Sequence, residues 1–566
     1  MSAREALEAS LDALDRCDDP AVVVSRVPVP GLVELAARID AADPSSVPLR
    51  GTTFTVKDNI DVEGTVTTAG CPSFGTTAGS SSFVVRRLIA AGALPVAKTN
   101  LDQFATGLVG VRSPFGTARN PFDPALVPGG SSSGSAVSVA RTLAAFSLGT
   151  DTAGSGRVPA AMCGIVGLKP TRGWLSTSGV VPAVRSIDCV SVFAPEVDLA
   201  WRVACAAGGH DPDDPMSRAV PPTSRGVARS AGVLALSTLH ELDVAAHVVA
   251  GYQEACKALA DAGVTLHEVD LGALLEVGSL LYGGPWVAER FAAVGEFLSA
   301  TVARDGGVGL DPVVRSIIEA SSRWTAVDAQ RAGYRLAALR AEIDAMFDVV
   351  DVLVTPTIAR EATLAEVAAE PLEANARLGC FTTFSNLADL CALAVPVGAD
   401  DVDGPPASIT LHGPAWADEA LVNTAAALQD RTVPETAPRG WTTLAVAGAH
   451  LRGQPLEHQL VDRGAVWLGT TATSDDYALY AVAGTVPPKP GLVRVADGRA
   501  IEVDTWALRP DAFGDFVAAV PPPLCIGTVE LADHTSVPGF LCEPRALDGA
   551  TDITGFGGWR AYRASI

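Results

Sequence analysis

Two rhythms of hydrophobic and polar positions alternate along the first 430 residues. Short apolar runs that end in polar residues predict strands: TFTVKDN (53–59), ALPVAKTN (93–100), VTLHEVDL (264–271) and VDVLVTPT (350–357). Runs with apolar residues at every third or fourth position predict helices: SSFVVRRLIAAG (81–92), AAHVVAGYQEACKALADAG (245–263) and RAGYRLAALRAEIDAMFD (331–348). The N-terminal segment predicts another helix, with Ser2 and Glu5 as a capping box and Leu7, Leu11 and Leu14 on one face. Alternating strands and helices predict a layered α/β domain.

The pattern changes at QDRTVPETAPRGW (429–441), which has two prolines and little apolar content. We therefore predict a first domain over 1–430, a linker over 431–440 and a second domain over 441–566. The second domain is predicted to be small and mostly β. YALYAVAG (477–484), LVRVADGRAIEVDTWAL (492–508) and CIGTVEL (525–531) have strand-like patterns, and DAFGDFVAAV (511–520) is helix-like.

Composition and charge exclude several classes of partner. The 566 residues are 48% hydrophobic, and 64 acidic residues against 41 basic ones give a net charge of −23. Such a surface repels nucleic acid and anionic membranes, so neither is expected as a partner. No apolar run has transmembrane length, and the N-terminus lacks the apolar stretch of a signal peptide. The ten cysteines form no CxxC pair. A reducing cytoplasmic setting is therefore expected. Histidines and cysteines are not clustered, so neither a metal nor another cofactor is expected.

The stretch VPGGSSSGSAVSVARTLAAFSLGTDTAGSGRVPAA (127–161) concentrates serine and glycine. Taken alone, it is compatible with a flexible linker or a phosphate-binding loop. It leads into SAVSVARTLAAFSLG (135–149), for which we predict a helix that stops at Gly149. A Gly/Ser loop at a helix start presents free N–H groups to an anion, and the small residues around Ser155 let a substrate carbonyl approach the backbone.

A serine nucleophile needs a base, and the first histidine of the chain is His210, well beyond this stretch. Lys57 ends a strand that carries apolar Phe54 and Val56. Burial would lower the pKa of such a lysine and let it act as a neutral base, whereas a lysine at an exposed strand end would simply be solvated. Serine–lysine pairs are a recognised form of nucleophilic catalysis, in which a second serine can relay the proton.

Four motifs together resemble the amidase signature family: VKDN (56–59), PGGSSSGSA (128–136), DTAGSGRVPA (151–160) and GIVGLKPTRG (164–173). The resemblance implies a mixed β-sheet sandwiched by helices and a triad of Ser155 as nucleophile, Ser131 as relay after a cis peptide, and Lys57 as base. It also implies an oxyanion hole formed by the backbone amides of Thr152, Ala153, Gly154 and Ser155. The sequence departs from the family at Ser133, where the family usually has glycine. Arg157 is predicted to form a structural ion pair with Asp151 rather than to bind substrate.

The segment YGGPWVAERFAAV (282–294) combines a phenol, two glycines and an arginine. Tyr282 and Arg290 are candidates to bind a substrate carboxylate, because arginine binds carboxylates bidentately. The alternative is that Trp286 and Tyr282 pack against a helix N-terminus while Arg290 faces solvent. Five segments together resemble the allophanate hydrolase family: this one, NARLGCFTTFSNLADLCALAVPVG (375–398), and the C-terminal LRGQPLEHQL (451–460), PPKPGLVRV (487–495) and GFGGWRAY (555–562). The second domain of that family is similar to γ-glutamyl cyclotransferases.

That resemblance implies hydrolysis of allophanate to ammonia and carbon dioxide, with Tyr282 and Arg290 on its carboxylate. The second domain would act on the N-carboxycarbamate product, with His458 as its candidate proton donor; the alternative for His458 is a structural hydrogen bond in a turn. A homodimer is expected, and urea carboxylase is a candidate partner. Two other interpretations stay open: an amidase for another small carboxylated amide such as malonamate, and an amidotransferase-type partner subunit.

Overall fold

The computed structural model describes residues 1–221, 228–398, 404–428, 441–485, 487–532 and 535–565. By their internal contacts the described residues divide into two compact units, one within 1–428 and one within 441–565, and Pro221 is grouped with the second. The predicted linker, 431–440, lies outside the described residues. Each unit is therefore treated by itself.

The first unit is built on a mixed sheet whose described strands follow the order β1-β5-β2-β6-β8-β7-β12-β13-β11-β9-β10. Those strands, with the separate β3–β4 hairpin, are β1 (Val23–Arg26), β2 (Thr52–Lys57), β3 (Val66–Thr67), β4 (Thr76–Thr77), β5 (Ala93–Thr99), β6 (Phe146–Asp151), β7 (Val166–Lys169), β8 (Cys189–Ala194), β9 (Ser230–Val233), β10 (Thr265–Glu268), β11 (Val352–Pro356), β12 (Leu390–Val397) and β13 (Ala407–Pro414). β2 runs parallel to both β5 and β6, whereas β8 is antiparallel to β6. The parallel pairing brings the carboxyl ends of β2 and β6 to the same edge of the sheet.

Helices cover both faces of this sheet. They are α1 (Ala3–Arg16), α2 (Val29–Ala41), α3 (Phe83–Ala90), α4 (Ser133–Ala140), α5 (Val158–Met162), α6 (Val197–Ala207), α7 (Leu236–Glu241), α8 (Ala246–Asp261), α9 (Gly272–Gly283), α10 (Ala288–Asp305), α11 (Pro312–Ser321), α12 (Ala326–Phe347), α13 (Leu364–Ala369), α14 (Glu373–Leu378), α15 (Phe384–Leu387) and α16 (Asp418–Leu428). On β2, Phe54 and Val56 join an apolar cluster with α3 and α6, while Thr55 on the opposite face bonds to Ser138 of α4. Side chains alternate along a strand, so this pattern places helices on either side. The α/β prediction and the sandwiched mixed sheet are confirmed.

The predicted helix over 135–149 is wrong in its second half. α4 ends at Ala140, Thr142 adopts a φ of +53°, and the chain re-enters the sheet as β6. β6 lies between β2 and β8 and is buried along its whole length. A strand buried on both faces shows no alternation, so its apolar run cannot be told from a buried helix by periodicity.

The second unit is small and mostly β, as predicted. One sheet has the order β15-β18-β14-β20-β19 and another β17-β16-β21. The elements are β14 (Thr442–Val446), α17 (His458–Val461), β15 (Val466–Ala472), β16 (Tyr477–Ala481), β17 (Pro490–Arg494), β18 (Glu502–Leu508), α18 (Pro510–Ala518), β19 (Leu524–Glu530), β20 (Ser536–Cys542), β21 (Thr551–Asp552) and α19 (Trp559–Ala564). Its own apolar core includes Leu444, Trp506, Phe516 and Trp559. The likeness to γ-glutamyl cyclotransferases stays a prediction.

Neither a bilayer-crossing helix nor a cluster of metal-binding side chains occurs among the described residues. None of the helices that they form combines the length and the apolar character needed to cross a bilayer. The same residues bring together no group of three or more His, Cys, Asp or Glu side chains that could hold a metal ion.

Candidate active site

Lys57 lies at the carboxyl end of β2 and is completely buried. Its Nζ is 2.8 Å from Ser131 Oγ and 2.7 Å from Thr150 Oγ1, which comes from the neighbouring strand β6. Burial lowers the pKa of Lys57 from its usual 10.5 to about 7, and the carboxylates of Asp102, Asp151 and Asp188 limit the fall. The amine therefore exchanges its proton near neutral pH.

Ser131 follows a cis peptide bond, Gly130–Ser131, immediately before α4. Its carbonyl accepts from the amide of Asp102 at 3.0 Å, and the Gly130 amide donates to the carbonyl of Leu108 at 2.8 Å. A Cβ at Gly130 would overlap the Asp102 carboxylate, so this position requires glycine. The tight packing fixes Ser131 Oγ beside Lys57.

The loop after β6 carries Ser155, which is 4% exposed. Its Oγ donates to the carbonyl of Gly107 at 3.4 Å. The loop is held by Asp151, whose carboxylate accepts from the amides of Gly154 and Gly156 at 2.9 and 3.0 Å. Arg157 Nε and Nη2 donate to the same carboxylate at 2.9 and 3.0 Å, with both side chains fully buried. The predicted ion pair between Arg157 and Asp151 is confirmed.

Electrostatics keep this carboxylate charged. Burial by itself would raise the pKa of Asp151, but the adjacent Arg157 guanidinium lowers it on balance below its usual value. The ionised form accepts four hydrogen bonds and so fixes the backbone around Ser155.

The predicted oxyanion hole needs one correction. The amide of Gly154 donates to Asp151 and is not free for a substrate. The backbone amides of Thr152, Ala153 and Ser155 donate no hydrogen bond to any acceptor in the described part of the chain. The Thr152 hydroxyl donates to Asp188 at 2.6 Å, which holds the first of these three residues. The sequence motif marks this loop, but it does not show which amide is used internally.

Tyr282 near the end of α9 and Arg290 in the first turns of α10 lie close together, with the guanidinium carbon 6.0 Å from the ring centre. Arg290 is 2% exposed, so the alternative that it faces solvent is excluded. Its Nη1 donates to Thr106 Oγ1 at 2.7 Å, and its buried Nε has no partner among the described residues. Thr106, Gly107 and Tyr282 line a cavity of about 500 Å³. Because Gly107 also contacts Ser155, this cavity adjoins the proposed nucleophile.

His458 lies in the second unit, at the start of α17, and is exposed. Its Nδ1 is 3.0 Å from the carbonyl of Pro455, a contact within the turn. A second histidine, His450, is buried in the same unit; it stacks on Phe540 and contacts Gln459 at 3.0 Å. Burial lowers the pKa of His450 to about 4. Nothing in its sequence surroundings distinguishes it from other histidines.

Three further residues near Lys57 were not identified from the sequence: Thr150, Asp102 and Asp188. Thr150 stands one residue before the end of β6, and the sequence does not identify it because nothing in the pattern separates this buried strand from a buried helix. Asp102 and Asp188 lie in loops, where no periodicity assigns a direction to a side chain.

Known proteins share both parts of this chain. The Amidase family matches residues 5–422, and the allophanate hydrolase C-terminal domain matches residues 442–564. Urea amidolyase of Saccharomyces cerevisiae is 41% identical over 91% of this chain and 30% of its own length. A glutamyl-tRNA(Gln) amidotransferase subunit from Halobacterium salinarum is 34% identical over 68% of this chain and 96% of its own length.

A solved structure resembles the chain over its full length. The Kluyveromyces lactis allophanate hydrolase is 37% identical with a TM-score of 0.79, covering 100% of this chain and 97% of that one. The chain spans only about a third of the urea amidolyases that it matches. The combined matches give the conclusion that this chain belongs to the amidase family of amide hydrolases and, within it, to the allophanate hydrolases.

Proposed function

We propose that this chain hydrolyses allophanate, the carboxylate of urea, releasing ammonia and ultimately carbon dioxide. The observation that carries the proposal is the contact of Lys57 Nζ with Ser131 Oγ at 2.8 Å inside a fully buried site. A neutral lysine with a pKa of about 7 can accept a proton from Ser131 across this contact. Ser131 in turn takes the proton of Ser155.

The proposed reaction begins with attack of Ser155 Oγ on the terminal amide carbonyl. The oxyanion then receives hydrogen bonds from the amides of Thr152, Ala153 and Ser155, which are free of internal acceptors in the described chain. The proton taken up by Lys57 returns through Ser131 to the leaving nitrogen, and ammonia departs. Water hydrolyses the acyl-enzyme by the same relay and gives N-carboxycarbamate.

Tyr282 and Arg290 are proposed to bind the substrate carboxylate. The burial of Arg290 and its unpaired Nε, which finds no acceptor among the described residues, support this role, because a buried guanidinium without an anionic partner gains most from binding one. In a chain with a net charge of −23, an anionic substrate needs such a local cation.

The second unit is proposed to act on N-carboxycarbamate, which takes up one proton and loses carbon dioxide to give carbamate. His458 is exposed and so can exchange protons with solvent, which supports the proposal that it supplies this one. Its contact with Pro455 is equally compatible with a structural role, and the variant His458→Ala separates the two.

The test is ammonia release from allophanate by the purified chain. Ser155→Ala should abolish release, and Lys57→Ala and Ser131→Ala should each lower kcat by several orders of magnitude because the three act as one unit. Ser133→Ala is the matched control, since Ser133 begins α4 two residues after Ser131, and its Oγ is buried without a partner among the described residues and has no part in the proposed relay. Substantial activity in folded Ser155→Ala protein would contradict the mechanism.

The proposal also covers the substrate, the partner, the oligomeric state and the location of the chain. A comparison of malonamate with allophanate tests the alternative substrate, and turnover by the isolated chain would count against an amidotransferase-type partner subunit. The matched urea amidolyases are about three times as long as this chain, which supports urea carboxylase as a partner. We also propose a homodimer and a cytoplasmic location.

A further inference from the structure

The cavity beside Ser155 is much larger than the proposed substrate requires. Allophanate has seven non-hydrogen atoms, whereas a volume of about 500 Å³ would hold roughly 16 water molecules at about 30 Å³ each. Most of its wall is apolar, with Leu275, Val287 and Ile317 among the lining residues. Such a wall offers contacts to methylene groups that allophanate does not have.

A second arginine, Arg112, lies in the wall of this cavity. It is 3% exposed, and its guanidinium donates only to carbonyls: Nη1 to Thr106 at 3.1 Å and Nη2 to Pro371 at 2.7 Å. It forms no ion pair with any carboxylate that the structure describes. The buried Asp102 carboxylate accepts from the backbone amide of Arg112, and the charge of Arg112 partly offsets the rise that burial causes in the pKa of Asp102. The two charges therefore attract each other, but the structure has no direct ion pair between the side chains.

Arg112 and Arg290 meet the same residue from two sides. Arg112 donates to the Thr106 carbonyl, while Arg290 donates to the Thr106 hydroxyl. Thr106 is followed by Gly107, whose carbonyl accepts from Ser155 Oγ. Two buried arginines that form no ion pair with a described carboxylate thus meet at Thr106, and a single small substrate carboxylate needs only one of them.

We propose that the cavity is an extended subsite for linear amides with a terminal carboxylate on a chain of two or more methylenes, and that Arg112 binds this carboxylate. The inference rests on the proposed role of Ser155. The amide carbonyl lies at Ser155, the methylenes lie along Leu275, Val287 and Ile317, and the carboxylate supplies the anionic partner that the Arg112 side chain lacks. Each turnover consumes one water and yields ammonia and the corresponding dicarboxylate.

The experiment measures ammonia release from allophanate, malonamate, succinamate, glutaramate and adipamate. We expect the native chain to hydrolyse at least one of the last three. Arg112→Met should lower kcat/KM for that amide by about 10- to 100-fold, the equivalent of one charged hydrogen-bonded contact, and should affect malonamate much less. Arg112→Lys should recover only part, because an ammonium lacks the planar fork.

Two further variants make the result decisive. Leu275→Trp fills the apolar wall without touching a charge, and it should depress the longer amides selectively even if Arg112→Met fails to fold. Arg141→Met is the matched control, because Arg141 is not among the residues that line the cavity and pairs with the exposed Asp18, and it should change little.

The failure of this inference differs from failure of the proposed function. A chain that hydrolyses allophanate but none of the longer amides overturns the extended subsite alone, as does an equal loss on short and long amides in Arg112→Met. A chain that hydrolyses longer amides and not allophanate overturns the proposed substrate instead.

Discussion

At the scale of single residues, the proposed chemistry depends on a lysine that loses its proton near neutral pH. Lys57 is fully buried, and burial destabilises its charged ammonium form. The neighbouring carboxylates stabilise that form by less, so the pKa falls on balance. The same amine in solution would hold its proton up to a pH near 10.5 and could not serve as a base. Burial at the end of β2 therefore gives Lys57 the pKa that its proposed role as base requires, a role that a histidine fills in other enzymes.

The first prediction concerns pH. Lys57 is protonated and inactive as a base below its pKa of about 7 and is neutral above it, so kcat/KM should rise with pH and level off above this value. Asp102 raises the pKa of Lys57 through its charge, so Asp102→Asn should move the rising limb to lower pH. The measurement is the rate of ammonia release over a pH series that extends to both sides of this pKa. A flat profile would contradict the role of Lys57.

The second prediction concerns Arg290. Replacing it with alanine should weaken use of allophanate by about 2–5 kcal/mol in transition-state binding, since a buried charge partner is lost. Reaction with an activated neutral ester should persist, because the triad is untouched. Arg290→Lys should rescue poorly. Equal losses on the charged and neutral substrates would show that Arg290 only supports the packing around Thr106.

At the scale of elements, the loop after β6 is held by an ion pair and not by helix geometry. Asp151 accepts hydrogen bonds from two backbone amides and from Arg157, and Arg157 Nη1 also donates to Ser385 Oγ at 2.8 Å. Thr355 gives its hydroxyl proton to the Pro356 carbonyl, so it accepts from His412 Nε2. Burial lowers the pKa of His412, and the neutral ring accepts at Nδ1 from the Ser385 hydroxyl, 3.1 Å away. The nucleophile loop is thus tied to α15 through Ser385 and to β13 through His412.

The third prediction tests this tie. Arg157→Met leaves Asp151 buried and unpaired, and the free energy of unfolding should fall by about 3–5 kcal/mol. The measurement is denaturant unfolding, together with ammonia release from the folded fraction. Arg141→Met is the matched control: it breaks an ion pair with the exposed Asp18 and should change stability little. Equal effects of the two variants would contradict the anchoring role of Asp151.

At the scale of the whole molecule, the residues form two compact units, each with its own apolar core. All residues proposed for the first step lie in the first unit: Lys57, Ser131, Ser155, Tyr282 and Arg290. His458 lies in the second. This division supports the proposed domains 1–430 and 441–566 and a separation of the two chemical steps.

The fourth prediction follows from that separation. A chain ending at Pro438 should stay soluble and release the first ammonia from allophanate at the normal rate. Carbon dioxide and the second ammonia should lag behind, because N-carboxycarbamate then decomposes unaided. Both products are followed against time, with full-length His458→Ala for comparison. Absence of a lag would show that the second unit does not act on this product, and insoluble protein would show that the two units share a core.

The sequence by itself determined which short segments matter. Strand ends and glycine-rich turns are local properties, and the four motifs in order resemble the amidase signature family. That resemblance nominates Lys57, Ser131 and Ser155 as the triad. The N-terminal capping box and the helices at 83–90, 246–261 and 326–347 follow from local periodicity in the same way. The predicted linker at 431–440 rests on composition alone and lies outside the described residues.

Only the tertiary structure decided how these segments meet. Lys57 and Ser131 are 74 positions apart, and they meet because α4, which begins just after Ser131, packs on β2 through the contact of Ser138 with Thr55. β6 itself was hidden, since a strand buried on both faces has no period. The internal use of the Gly154 amide and the carbonyl-only contacts of the Arg112 guanidinium also escaped prediction. Hydrogen-bond partners and burial are set by residues distant in sequence, and no local pattern records them.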